Sequence, residues 1–371
     1  MGYLINTFIT LDGLPMKQRQ SAKENHRMID RTIRKTNADK KVIATITILI
    51  LMGITAVVIV FLGNNLYVSP DGSDRYGCTF FTPCQTFARA ESVAAPGDEI
   101  HISGYLGEMK ITKSGTENAH LTITGDEVIL SGLIVEGDYV DVYKVEVTGS
   151  ISHGILVKSK HVLIEGSIVH NSVIENGING VCALLDSGFG SAFKAQLGAQ
   201  DVTFRGNFAY NNCGEGFAIT RTAGAVIEDN TIGSNYSVGI YVDNSYNIIV
   251  QNNTVTCDDT YMRDGHRMTG LVFAAEFYSG WGMQLHDNSF LNNTVTGCYD
   301  NIASWLSKVD GTSTNLTIDS NVSRGSTHRS IAVYSQNQNV VVSNNILDRP
   351  AHIVNSDGVI MNNNQLVNSG P

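Results

Sequence analysis

The chain has 371 residues, of which only 16% are charged, and a formal net charge of −10. That balance excludes a nucleic-acid partner, which needs a basic stripe, and suits a surface or secreted protein that binds neutral or weakly charged ligands. Glycine is abundant and proline scarce, with 36 and 6 copies, and a repeat array would use the whole length as one continuous body.

Residues 1–41 are read as a cytoplasmic tail, in which the segment 17–41 is polar and mixed in charge, as a poorly ordered or loosely helical stretch would be. Residues 42–62, "VIATITILILMGITAVVIVFL", are 21 uncharged, mostly apolar residues. At 1.5 Å per residue a helix of that length spans a hydrocarbon core. Nine Lys and Arg from Lys17 to Lys41 precede the run, and the first basic residue after it is Arg75. The positive-inside rule then predicts a single-pass membrane protein, with its N-terminus in the cytoplasm and residues 63–371 outside.

The outer part opens with a cap over 63–103. "YVSPDGSD" (67–74) leads into "CQTFARAESVAAPGDEIHI" (84–102). Phe87, Ala90 and Val93–Ala94 mark one face of a short helix ended by "PGD", placed to cover the first coil and block edge-to-edge growth. Cys78 and Cys84, in "GCTFFTPC", are close enough for a disulfide to close the loop. Cys182, Cys213, Cys257 and Cys298 are spread over the repeats, and most of them are expected to be buried free thiols.

From residue 104 onward a pattern returns. "AVIEDNTI" (225–232) recurs as "IIVQNNTV" (248–255), with Asn230 and Asn253 in the same slot. Ser167, Asn207, Asn293, Asn321, Asn345 and Asn364 hold that slot in other copies. A second strand follows each slot, as in "GFAIT" (216–220), "GIYVD" (239–243) and "GLVFA" (270–274). Alternation turns Ile240 and Val242 one way and Tyr241 and Asp243 the other. Such short strands cannot bury their apolar face alone. Stacking coil on coil through parallel ladders buries it, which predicts an all-β parallel β-helix of about ten coils over 104–371. The slot asparagines should stack into an amide ladder at a turn.

The opening "YVSPDGSD…TPCQTFARAESVAAPGDEIHISG", followed by Asn-marked coils, resembles secreted right-handed parallel β-helix proteins of the pectate-lyase-like group over about residues 66–367. The resemblance implies a right-handed solenoid. It leaves activity open, because that group includes polysaccharide lyases, glycoside hydrolases, sugar epimerases and adhesive proteins.

Three stretches, 182–200, 257–269 and 276–287, exceed the coil spacing and should wall the outer face of the 216–220 and 239–243 strands. On that face parity places Tyr241, Trp305 and Tyr334 among alanines, a surface on which a sugar ring can stack. Asp243 and Glu276 share outward parity on adjacent coils. They should be on the order of 8 Å apart, within the range for the two carboxylates of an inverting glycosidase. Glu215 enters the neighbouring coil at its turn as a further candidate acid. Arg221, Arg263, His266 and Lys308 are candidates for binding uronate carboxylates or for base chemistry. Asp258, Asp259 and Asp264 are candidate ligands for a Ca²⁺ that a lyase would use. Three functions fit: an enzyme cleaving polysaccharide by hydrolysis or elimination, a non-catalytic glycan-binding or adhesive surface protein, or a scaffold in an envelope assembly.

Overall fold

The computed structural model describes residues 64–178, 181–183, 190–277, 284–306, 313–334, 337–354 and 358–367. The expected tail and membrane span, and Lys308, lie outside them. Among the described residues no helix is long and apolar enough to cross a membrane.

Gly63–Pro371 forms one compact unit. It opens with β1 (Asn65–Val68), α1 (Phe87–Val93), β2 (Glu99–Ile111) and β3 (Leu121–Val135). Twenty-nine of the strands join into one sheet. Each later coil adds three strands, and each strand pairs in parallel with its equivalent on the next coil, as Phe217↔Ile240, Val226↔Ile249 and Thr231↔Thr254 do. Inward side chains align through these registers. Phe217, Ile240, Leu271, Ile302 and Ile331 form one fully buried file. At about 1.5–3 kcal/mol for each large apolar side chain buried, such files dominate the stability of the solenoid.

The expected amide ladder is present at one corner. The backbone N–H and side-chain amide of Asn230 both donate to Asn253 Oδ1, each at 2.9 Å. Asn253 repeats this on Asn293, Asn293 on Asn321 and Asn321 on Asn345. The residue before each slot turns the corner with a left-handed backbone: Asp229, Asn252, Asn292 and Asn344 have φ between 54° and 57°. Asn and Asp tolerate that region better than other non-glycine residues, and Gly166 and Gly206 fill the same place earlier in the chain.

The cap helix forms where expected, started by Thr86, whose hydroxyl accepts the Arg89 N–H at 3.2 Å. Phe87, Ala90 and Ala94 are buried, but Val93 faces solvent. At 100° per residue Val93 is turned away from the face that Phe87 and Ala90 share.

The cysteines need one correction. Cys78 and Cys84 are bonded as expected, but the other four are not thiols. Cys182 is bonded to Cys213 and Cys257 to Cys298. Each of these two bridges ties the start of an excursion to a different coil, across 31 and 41 residues.

The first excursion is also shorter than its sequence suggested. Ser191–Ala195 is a strand of the solenoid, with Phe193 opposite Phe217 and Lys194 opposite Ala218. Ala192 stands there in place of the leading glycine of the other coils, which hid the repeat.

Candidate functional site

Six strands form the outer face that matters: β4 (Ser191–Ala195), β5 (Glu215–Thr220), β6 (Val238–Asp243), β7 (Thr269–Ala275), β8 (Asp300–Leu306) and β9 (Arg329–Tyr334). Register sets two outward columns across them. One runs Lys194, Ala218, Tyr241, Val272, Ala303, Ala332. The other runs Thr220, Asp243, Ala274, Trp305. The expected floor of small residues interrupted by aromatics is therefore built, with Trp305 and Tyr334 packed against its apolar part.

A groove of about 560 Å³ opens over this floor. Glu215, Glu276, Lys194, Arg221, Arg263, Tyr241 and Trp305 line it, together with Glu175 and His153. Strict alternation would turn Glu215 inward with Phe217. Gly216 breaks the alternation, because a Cβ there would lie 2.6 Å from the carbonyl oxygen of Gly239 and 3.0 Å from the Ile232 side chain. Glu215 thus reaches the groove from the corner of its coil.

Glu215 is 6% exposed and accepts the Ser191 hydroxyl at 2.6 Å. Burial pushes its carboxyl up to about 7, against the opposing pull of Lys194 and Ser191, and the charge of Glu276 adds to the rise. A carboxylic acid that keeps its proton near neutral pH can donate it. Beside it, burial and then the charges of Lys194 and Lys158 hold His153 down at about 4. His153 Nδ1 accepts the Ser191 N–H at 3.1 Å, so its neutral ring carries the proton on Nε2.

Asp243 has a different place from the one expected. It is 0% exposed and lies beneath the groove. Its Oδ1 accepts the Glu276 N–H and the Asn244 side-chain amide, both at 3.0 Å. Asn244 in turn donates to the Glu276 carbonyl at 2.6 Å and accepts the Gln284 N–H at 3.2 Å. Asp243 and Asn244 therefore clamp both ends of the chain excursion that begins at Glu276. Outward parity was right for Asp243, but the Glu276 backbone of the next coil and the Asn244 side chain close over it. A carboxylate sealed in this way cannot reach a substrate oxygen, and the carboxyls that face the groove are Glu215, Glu276 and Glu175.

The remaining candidates divide. Arg221 and Arg263 line the groove, and Arg263 also donates to the Ser237 hydroxyl at 3.1 Å. His266 does not line it; it is exposed, with its ring 4.3 Å from that of Tyr299. Tyr334 lies beyond the cavity, its hydroxyl 3.4 Å from Asp300. Asp258 accepts from Ser234 and from the Thr260 N–H, Asp259 is paired with Arg267 at 2.6 Å, and Asp264 lies 3.8 Å from Arg263. Among the described residues no group of three or more His, Cys, Asp or Glu is placed to hold a metal ion.

Lys194, His153 and Glu175 went unnoticed in the sequence. Lys194 had a usable signal, since "SAFKA" (191–195) aligns with "GFAIT" once the missing glycine is allowed.

The fold is that of a right-handed parallel β-helix, and residues 131–301 match the family model described as right handed beta helix region. Similar chains span several chemistries. XylC in complex with xylose superposes with a TM-score of 0.56 at 11% identity, over 79% of this chain and 69% of that one. The GH136 lacto-N-biosidase from Eubacterium ramulus gives 0.54 at 12% identity, over 82% and 68%. An alginate lyase from Paenibacillus gives 0.50 at 16% identity, over 76% and 96%. At these identities the likeness shows the fold. In sequence, the uncharacterized protein YwoF of Bacillus subtilis (strain 168) is 25% identical over 323 residues, 68% of this chain and 67% of its own.

Proposed function

We propose that this protein is a carbohydrate-active enzyme that cleaves a polysaccharide in the groove over β4–β8. The observation that carries the proposal is Glu215, a buried carboxyl pushed up to about 7 that lines the groove together with Glu276. Glu215 donates its proton to the departing glycosidic oxygen. Glu276, the carboxylate with which its charge interacts, takes up the proton of the attacking water. Tyr241 and Trp305 supply stacking surface for sugar rings. The fold likeness to a lacto-N-biosidase and an alginate lyase is in keeping with this chemistry.

Lys194, Arg221 and Arg263 favour a second reading of the same groove. Three cations lining one groove suit sugar carboxylates, and elimination from a uronate polymer would use one of the groove's basic groups to remove the C5 proton.

The domain works outside the cell in this proposal, held by residues 42–62 as a membrane anchor. The basic flank supports that orientation. All the described cysteines are in disulfides, which fits an oxidising compartment.

The test is incubation of the full chain with a panel of neutral and acidic polysaccharides, reading both new reducing ends and the absorbance of unsaturated products. Reducing ends without that absorbance, abolished by Glu215→Gln, support hydrolysis. Unsaturated products support elimination. Retained binding with no product from any polymer would leave a glycan-binding protein.

A further inference from the structure

The groove leaves unexplained the most exposed aromatic side chains of the N-terminal cap. Phe81 is 90% exposed, Phe80 67% and Tyr76 54%. Phe80 and Phe81 belong to the loop closed by the Cys78–Cys84 disulfide, and Tyr76 lies just before it. The loop is built to keep its shape. Thr82 N–H donates to the Thr79 carbonyl at 3.1 Å, and the two threonine hydroxyls are 2.8 Å apart. Asp74 holds the exit of the loop by accepting the Gln85 and Thr86 N–H groups, both at 2.9 Å.

Position makes this tip informative. β1 pairs with β2 on one side, while on its other side Tyr67 exchanges backbone hydrogen bonds with Cys78 and Cys84. The loop therefore lies beyond the first coil, at the N-terminal end of the solenoid. Its rings continue outward from β1: His101 stacks on Tyr67 at 4.8 Å, Tyr67 meets Phe80 edge-on at 5.3 Å, and Phe80 meets Phe81 at 5.3 Å. The chain enters this same end at Asn64, two residues after the apolar run stops at Leu62. From Asn64 to Tyr67 is about 10 Å of strand. The interfacial layer of a bilayer is about 5–8 Å deep on each side.

We propose that Phe80 and Phe81 form a membrane-interface anchor, inserted at the boundary of headgroups and acyl chains of the bilayer that residues 42–62 cross. The inference rests on the anchor reading above. A rigid tip with two phenylalanines loses little conformational freedom on insertion and buries apolar area that water otherwise covers.

The experiment uses the full chain reconstituted into phosphatidylcholine vesicles, with Phe81→Trp as probe and Phe208→Trp, 46% exposed further along the solenoid, as control. Emission is read above the background of Trp281 and Trp305, with and without lipids brominated near the top of the acyl chain. The expected result is that the protein floats with the vesicles and that the added Phe81→Trp signal is blue-shifted and strongly quenched, while the Phe208→Trp signal is neither. Flotation without quenching at position 81 overturns the docking and leaves the anchor standing. Failure to float overturns both. A Phe81→Trp signal that answers to soluble oligosaccharides but not to brominated lipid overturns the docking and assigns the tip to glycan binding.

Discussion

One coil of the solenoid carries two glutamates with opposite fates. Glu228 sits on the strand Val226–Glu228, where Arg205 donates to it at 2.7 Å and Gln251 at 2.8 Å, and these bonds hold its carboxyl below the usual range. Glu215, thirteen residues earlier, is sealed beside Ser191 and pushed up to about 7. The residue type is the same. What differs is the supply of donors to the charged form and the access of water. The ladder Glu165–Arg205–Glu228–Gln251 is a surface brace. The column around Glu215 keeps a proton available. Among the many carboxylates of a solenoid surface, a chemical one is recognised by burial without enough hydrogen-bond donors to stabilise its charge.

Removing the acid should break this comparison most visibly. Glu215→Gln is expected to lower turnover by about 10²–10⁴-fold, the usual worth of a positioned acid. Glu228→Gln should leave turnover within about twofold, and steady-state assays of both variants on the polymer found active decide it. Asp243→Asn sharpens the contrast further, since its remaining carbonyl oxygen can still accept the Glu276 N–H. That variant should keep most of its activity, and a loss as deep as that of Glu215→Gln would return the acid role to Asp243.

Stability should separate the regions in another order. Asn253→Ala strands the donors of Asn230 and the Ile227 and Gln251 carbonyls, which it now satisfies. It should cost roughly 2–6 kcal/mol in denaturant unfolding, at about 1–3 kcal/mol for each of the two buried Asn230 donors left unsatisfied. Glu228→Gln, at a surface pair, should cost less than about 1 kcal/mol.

Glu215 also predicts a pH dependence with a definite sign. Its folded value is raised from 4.5 to about 7, so its contribution is fully present below pH 4.5 and is lost as pH rises through 7. The folded state binds more protons than the unfolded state in that window, and stability should decline across it. Glu215→Gln should remove that decline and be the more stable protein at pH 8 by up to roughly 3 kcal/mol. A Glu228→Gln protein should keep the decline. Unfolding midpoints from pH 4 to 8 for the three proteins check this.

Much of this organisation was legible in the sequence for a physical reason. A ladder needs the same residue in the same slot of every coil, so Asn230 and Asn253 announced both the corner and the register. Alternation gave the direction of Tyr241 and Asp243 correctly. It could not show that the Glu276 backbone and Asn244 close over Asp243, because cover depends on where a neighbouring excursion lands. Glu215 was visible as a candidate at the turn into its coil, but nothing along the chain told of its burial beside Ser191. The Cys182–Cys213 and Cys257–Cys298 pairs were hidden for a similar reason. Their partners meet across coils, at a distance that no spacing along the chain encodes.

The protonation state of Glu215 can be observed directly. Infrared titration of the full chain labelled with ¹³C-carboxyl glutamate, taken as wild type minus Glu215→Gln, isolates that carboxyl. A single protonated-carbonyl band that disappears with a midpoint near pH 7 is the result expected here. A difference spectrum that titrates near pH 4.5, with the surface glutamates, would contradict the assignment of Glu215 as the acid of the groove.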